Sequence, residues 1–367
     1  MPDRIPHKQL WRKLMPSPGL GGIAATDRVV IVSGRDQNDT LDLWRCLDAA
    51  TGETLWSLRY SAPGKLDYGA SPRATPLIHG DIVYCYGAFG HLHAVNILTG
   101  KVIWKYDSVE EFGAPLEELS WGFCGSPLVV GNKLIYYPGG PEAALVALEL
   151  DTGKVIWKTP GAKPAYGSFI AATFGGIQQV IGHDSATLGG WEVATGKRLW
   201  SLTPGRAGDF NVPTPIVFEG RLIVSTENNG TRMYQFNSSG RIDPKPVARN
   251  DALNPDTHSP VRIGDRLYGA HGDLFCLDLS DKLRTRWSAS ESSFGHYTTA
   301  VASQERLLLI SLDAEAWLLD ATADKFILLD HRKLLDDEGD MYAHPAFATG
   351  KMIIRASNAV ICFDLEP

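Results

Sequence analysis

The chain has 367 residues, 44% of them hydrophobic, with 37 glycines, 22 prolines and a formal charge of −7. That balance excludes a polar disordered chain, and the scattered Lys and Arg form no basic stripe, so nucleic acid is excluded as a partner class. No run of 18 apolar residues is present and the opening MPDRIPHKQLW lacks an apolar core, so neither an integral membrane segment nor a signal peptide is expected in it.

In chain order, the first element is a short strand at Leu10-Trp11-Arg12. Next comes a stretch that recurs: Asp48 to Trp56 reads DAATGETLW, Asn96 to Trp104 NILTGKVIW, Glu149 to Trp157 ELDTGKVIW, and Glu192 to Trp200 EVATGKRLW. Each is a polar residue, a Thr-Gly turn and an apolar strand ending in Trp. Counting the strand before the turn adds degenerate copies at Gln235-Phe236-Asn237, Cys276-Leu277-Asp278, Leu318-Leu319-Asp320 and Cys362-Phe363-Asp364, which makes eight units. A second signature, Ser/Thr-Pro followed by Gly and a strand, lies upstream of most of them (Thr75-Pro76, Ser126-Pro127, Thr214-Pro215, Ser259-Pro260). Every unit therefore carries four short strands, A to D, with degenerate D strands expected near Ile242 and Phe326.

The last unit ends at Asp364-Leu365-Glu366-Pro367, before a D strand, and the strand at Leu10–Arg12 resembles the missing one. The expectation is an all-β fold: one domain over residues 1–367, an eight-bladed β-propeller of four-stranded antiparallel blades, closed by the N-terminal strand completing the last blade. Cys46, Cys276 and Cys362 occupy the slot held elsewhere by Ala94 and Ala147, so they are read as small buried residues. Cys85 and Cys124 are assigned the same role in other strands.

These repeats resemble the PQQ-like, or quinoprotein-like, eight-bladed propellers over nearly the whole chain. The resemblance implies that the recurrent Trp packs blades together, and it brings three classes of protein into view: quinone-dependent alcohol dehydrogenases, a non-catalytic outer-membrane assembly scaffold, and propellers of other activities. It also implies a periplasmic or secreted, bacterial setting.

Chemistry is expected on the face formed by the B–C turns and the connections between blades, because these depart from the repeat. His258, His296 and His344 start the inner strands of three successive blades and are candidate catalytic residues or ligands of a divalent metal. Tyr297, Tyr342 and Arg73 are further catalytic candidates. Tyr68, Trp121 and Tyr166 supply aromatic platforms, and Asp209, Asn211, Glu227, Asn228, His183 and His271 supply polar contacts. The preferred reading is a funnel that binds a polar small molecule, a sugar or uronate, and acts on it by β-elimination: a Tyr or His removes the proton while Arg73 or a metal stabilises charge. A protein-assembly scaffold is the alternative. PQQ-dependent alcohol oxidation is disfavoured: the resemblance implies adjacent cysteines near the cofactor in the longer quinone dehydrogenases, and here no two cysteines are adjacent and little of the chain lies beyond the blades.

Overall fold

The computed structural model describes residues 1–291, 294, 297–336 and 340–365. Among these, the strands form eight four-stranded antiparallel sheets arranged in a ring. Seven blades use consecutive strands; the first, for example, joins Ala24–Ala25, Val29–Arg35, Leu41–Asp48 and Thr54–Ser61. The A strands of neighbouring blades touch, which puts them innermost. D strands such as Thr54–Ser61 alternate exposed and half-buried residues, as the outer edge of a blade must.

The eighth blade joins Ala346–Ala348, Lys351–Arg355 and Ala359–Asp364 to Gln9–Leu14 from the other end of the chain. Trp11 pairs with Cys362 and Leu14 with Ala359. This is the closure expected from the truncated last repeat, and it removes two unpaired sheet edges at once.

The repeat acquires a physical explanation across the blade seams. In the turn at residues 48–52, Asp48 Oδ1 accepts the N–H groups of Ala50 and Thr51, both at 2.9 Å, and Gly52 takes a left-handed φ of 72°. A side chain there would also strike Trp11 of the preceding blade. The same collision is built in between Gly100 and Trp56, Gly153 and Trp104, and Gly196 and Trp157. Each of these indoles donates Nε1–H to a carbonyl of the next blade: Ala49, Ile97, Leu150 and Val193, at 2.7–3.1 Å.

Within its own blade the Trp faces the small slot in register. Cys46 pairs with Trp56, Ala94 with Trp104, Ala147 with Trp157 and Cys276 with Trp287. The three slot cysteines are fully buried because the ring lying opposite leaves room only for a small side chain.

Two expectations need correction. The D strand of the fifth blade is Ala248–Asn250; Ile242 makes only an isolated bridge with Phe236, because residues 238–247 are spent on an extended connection. Cys124 lies in no strand and is half-buried in the connection that follows the second blade.

Candidate functional site

All eight connections between blades converge on one cavity of about 170 Å³. Leu20 comes from the connection out of the eighth blade, Tyr68 and Arg73 from the one out of the first, and Trp121 and Cys124 from the next. Tyr166, Val212, Thr257, Tyr297 and Tyr342 complete the circuit, one from each remaining connection. The repeat places these loops, and the loops depart from the repeat where they meet.

Aromatic rings form a belt over this cavity. Tyr342 packs edge-on against Tyr297 with ring centres 5.0 Å apart, Tyr297 reaches Tyr68 at 6.4 Å, and Tyr68 reaches Trp121 at 6.3 Å. Trp121 then contacts Tyr166 at 4.5 Å and Phe210 at 4.8 Å. Tyr68 and Phe210 remain 64% and 51% exposed, which leaves apolar ring surface at the mouth. Tyr68, Asn211 and Tyr297 have φ of 64°, 57° and 30°, a left-handed conformation that costs a non-glycine residue about 1–2 kcal/mol. The structure holds this strain where the rings are aimed.

The polar groups are mostly committed to holding the loops. Arg73 donates to the carbonyls of Ser71 at 3.2 Å, Asp67 at 2.5 Å and Gly69 at 2.8 Å, which clamps the loop that carries Tyr68. Glu227 accepts the N–H of Phe210, and burial raises its pKa above the usual carboxylate range. Asp209 accepts from the N–H of Asn228 at 2.8 Å and from Asn229 Nδ2 at 2.6 Å. Glu227, Asn228 and Asp209 thus pin the 204–211 connection to the fifth blade's B–C turn, and none of them lines the axial cavity.

Among the described residues, His258 and His344 lie near one another, and His258 is bonded to its own blade. His258 is buried, its Nε2 accepts the N–H of Ala270 at 2.8 Å, and burial together with the nearby His344 depresses its pKa to about 3. It is a neutral loop acceptor. His344 keeps part of its surface in solvent, yet the protein atoms packed around its ring desolvate it enough to lower its pKa, while His296 lies outside the described residues. Among the described residues no three His, Cys, Asp or Glu side chains are positioned to hold a metal ion. His183 lines a separate small pocket with Asp209, Asn211 and Arg232, and burial takes its pKa to about 3. His271 is exposed at the sixth blade's B–C turn.

The tyrosines are shifted away from base chemistry. Burial, aided by a hydrogen bond to Asp340 at 3.0 Å, pushes Tyr342 up to about 12, and burial beside Tyr68 raises Tyr297 as well. Both shifts favour the neutral phenol. The arrangement can grip an apolar or ring-bearing group.

Nor do the residues fit the quinone, a planar anion, that the resemblance to quinone-dependent dehydrogenases brings into view. Among the described residues, Arg73 is the one cation lining the cavity and three of its five N–H groups point at loop carbonyls, and no carboxylate lines the wall to hold a calcium ion beside a quinone. Sequence reasoning found the aromatic residues and missed Leu20, Cys124, Val212 and Thr257. Cys124 was within reach, because it follows Trp121-Gly122-Phe123 directly.

Comparison with known proteins agrees with this architecture. The sequence model of a family described as outer membrane protein assembly factor BamB matches residues 6–136, 45–289 and 117–365. BamB of Shewanella oneidensis is 26% identical over 254 residues, covering 62% of this chain and 59% of that protein. The dehydrogenase subunit of a quinone alcohol dehydrogenase of Gluconobacter oxydans is 26% identical over 228 residues, covering 58% of this chain and 28% of that protein. The chain therefore spans about three fifths of one relative's length and little over a quarter of the other's. The crystal structure of BamB from Moraxella catarrhalis superposes with a TM-score of 0.65 at 13% identity, over 97% of this chain and 99% of that one, a likeness of fold.

Proposed function

The chain belongs to the outer membrane protein assembly factor BamB family, and from that premise we propose that it is a non-catalytic, protein-binding propeller. Its partner docks on the face formed by the connections and seats one apolar or aromatic side chain in the axial cavity. The observation that carries this reading is the convergence of all eight connections on an aromatic-lined cavity whose polar neighbours are already bonded to the loops. Size supports it too: about 170 Å³ is below the roughly 300–1,000 Å³ usual for small-molecule sites and suits a single inserted side chain. Exposed Tyr68 and Phe210 supply the kind of rigid aromatic anchors that dominate binding energy.

A sugar ligand retains the support of the ring platforms at Trp121 and Tyr166. A uronate loses its principal contact, because the Arg73 guanidinium is largely spent on carbonyls. The partner class also suggests the compartment. A factor for outer membrane protein assembly works in the periplasm, and no helix among the described residues is long and apolar enough to cross a membrane.

The test places a photo-reactive amino acid at Tyr68 or Phe210, with Leu55 on the outer edge as the control position. A single defined protein crosslinked from the funnel mouth and not from Leu55, and lost when the ring that does not carry the probe is replaced (Phe210→Ser for a probe at Tyr68, Tyr68→Ser for a probe at Phe210), is the expected result. A thermal shift with neutral sugars that vanishes in the same variants, or dye-linked alcohol oxidation on adding quinone and calcium, overturns it.

A further inference from the structure

The seam where the ring closes carries an uncompensated positive charge. Arg355 ends the B strand of the eighth blade and is only 1% exposed. Its Nη1 donates to the carbonyls of Ala356 at 3.0 Å and Ala359 at 3.3 Å, and Nη2 reaches Ser17 O at 3.4 Å. Nε has no partner. Gly19 lies against the guanidinium so closely that a Cβ would collide with it. Among the described residues the partners of the Arg355 guanidinium are carbonyls and no carboxylate pairs with it, so the ordinary way of burying a cation is missing.

Two further arginines extend this charge towards solvent. Arg45, half-buried on the C strand of the first blade, makes only long contacts, to Leu14 O at 3.5 Å and Met15 Sδ at 3.7 Å. Arg59 is exposed on the adjoining D strand. Leu43 pairs with Arg59 and Arg45 with Ser57, so Arg45 and Arg59 are diagonal neighbours on one face of the sheet. Burial and Arg59 lower the pKa of Arg45, and burial and Arg45 lower that of Arg355 to about 10; no acid enters either balance. Arg355 and Arg45, buried and half-buried, thus lie against the 14–19 segment that closes the ring, and the exposed Arg59 flanks Arg45.

We infer that this seam is an oxyanion site, in which a phosphate-class anion docks between Arg45 and Arg59 while Arg355 adds its field from beneath. A guanidinium fork matches two oxygens of such an anion, and neutralising Arg45 relieves its repulsion with both neighbours. The anion is either a free oxyanion or the phosphate of a lipid headgroup. The site is separate from the axial cavity and does not rest on the protein-binding reading.

The experiment uses the full chain with inorganic phosphate, followed by calorimetry and by thermal unfolding at ionic strength matched with chloride. Saturable binding that raises the unfolding temperature, weakened at least tenfold by Arg45→Gln and by Arg59→Gln, is the expected result. These two variants leave the buried Arg355 in place, so folding is preserved. Sedimentation with phosphatidylglycerol vesicles, against phosphatidylcholine vesicles, separates the sources: retention that depends on Arg45 and Arg59 assigns a lipid headgroup, and phosphate binding without it assigns a free oxyanion. Phosphate binding unchanged in both variants, or no response to either phosphate or anionic vesicles, overturns the inference.

Discussion

Replacing Gly153 by alanine tests the idea that the repeat's glycine and its tryptophan are one device acting across a seam. Gly153 has φ of 72°, and an added Cβ would come within 2.6 Å of Trp104 Cδ2 and 2.8 Å of Cγ. The indole cannot swing aside freely, because Nε1–H is bonded to Leu150 O at 2.9 Å, and Tyr106 donates to Gly153 O at 2.8 Å. Left-handed strain costs about 1–2 kcal/mol and forcing a methyl into a packed contact about 1–3 kcal/mol, so the total is roughly 2–5 kcal/mol. With an unfolding entropy of about 2.1 cal/mol/K per residue, the whole chain gives about 0.8 kcal/mol/K, which converts the loss into a fall of about 3–6 °C in Tm. Gly131→Ala is the control: its φ of 59° carries the same strain, yet a Cβ there meets nothing within 4 Å. Differential scanning calorimetry should find the control reduced by about 1–2.5 °C only, and the Gly153→Ala penalty reduced to the control's value in a Trp104→Ala background. Equal losses at Gly131 and Gly153, or a penalty indifferent to Trp104, refute the cross-seam account.

Three further outcomes are expected. His93, His183 and His258 are buried with pKa depressed, chiefly by burial, to about 4, 3 and 3, so the unfolded chain binds more protons as pH falls below its ordinary 6.5. Stability should therefore drop from pH 6.5 towards 4, and His183→Gln should remove up to about 1.4 kcal/mol per pH unit of that slope in urea titrations at pH 4 to 6; an unchanged slope contradicts the buried neutral state. Of five cysteines, Cys46, Cys85, Cys276 and Cys362 are fully buried and Cys124 is held as a thiol, its pKa pushed up to about 12. A disulfide reagent at pH 8 should modify one thiol in the folded protein, roughly a thousandfold more slowly than a free cysteine, and none in Cys124→Ser. The ultraviolet difference titration between the native chain and Tyr342→Phe should show Tyr342 ionising near pH 12, and Asp340→Asn, which removes a negative neighbour, should bring that step down; a difference step below pH 10 contradicts the environment described.

Much of the candidate site was visible in the sequence as aromatic residues interrupting an otherwise regular repeat. Tyr68, Trp121, Tyr166, Tyr297 and Tyr342 stand in loops where the repeat asks for none, and all five line the cavity. The polar candidates fared differently for a physical reason. A carboxylate or imidazole in a loop serves the loop's own N–H groups as readily as a ligand, and Glu227, Asp209 and His258 are spent in that way.

What the sequence determined by itself was the architecture. Thr-Gly turns, a small slot and a terminal Trp repeat with a fixed spacing, and that local chemistry dictates a blade. Eight blades with a truncated last unit and a spare first strand dictate a closed ring. Tertiary structure alone decided which loops meet. Arg73 could have clamped a ligand or a carbonyl, and Arg355 looks like any strand-ending arginine until Ser17, Gly19 and Arg45 arrive from the opposite end of the chain. Strand spacing is a local property carried by neighbouring residues, whereas the partner of a loop side chain is set by ring closure, which brings together residues more than 300 positions apart.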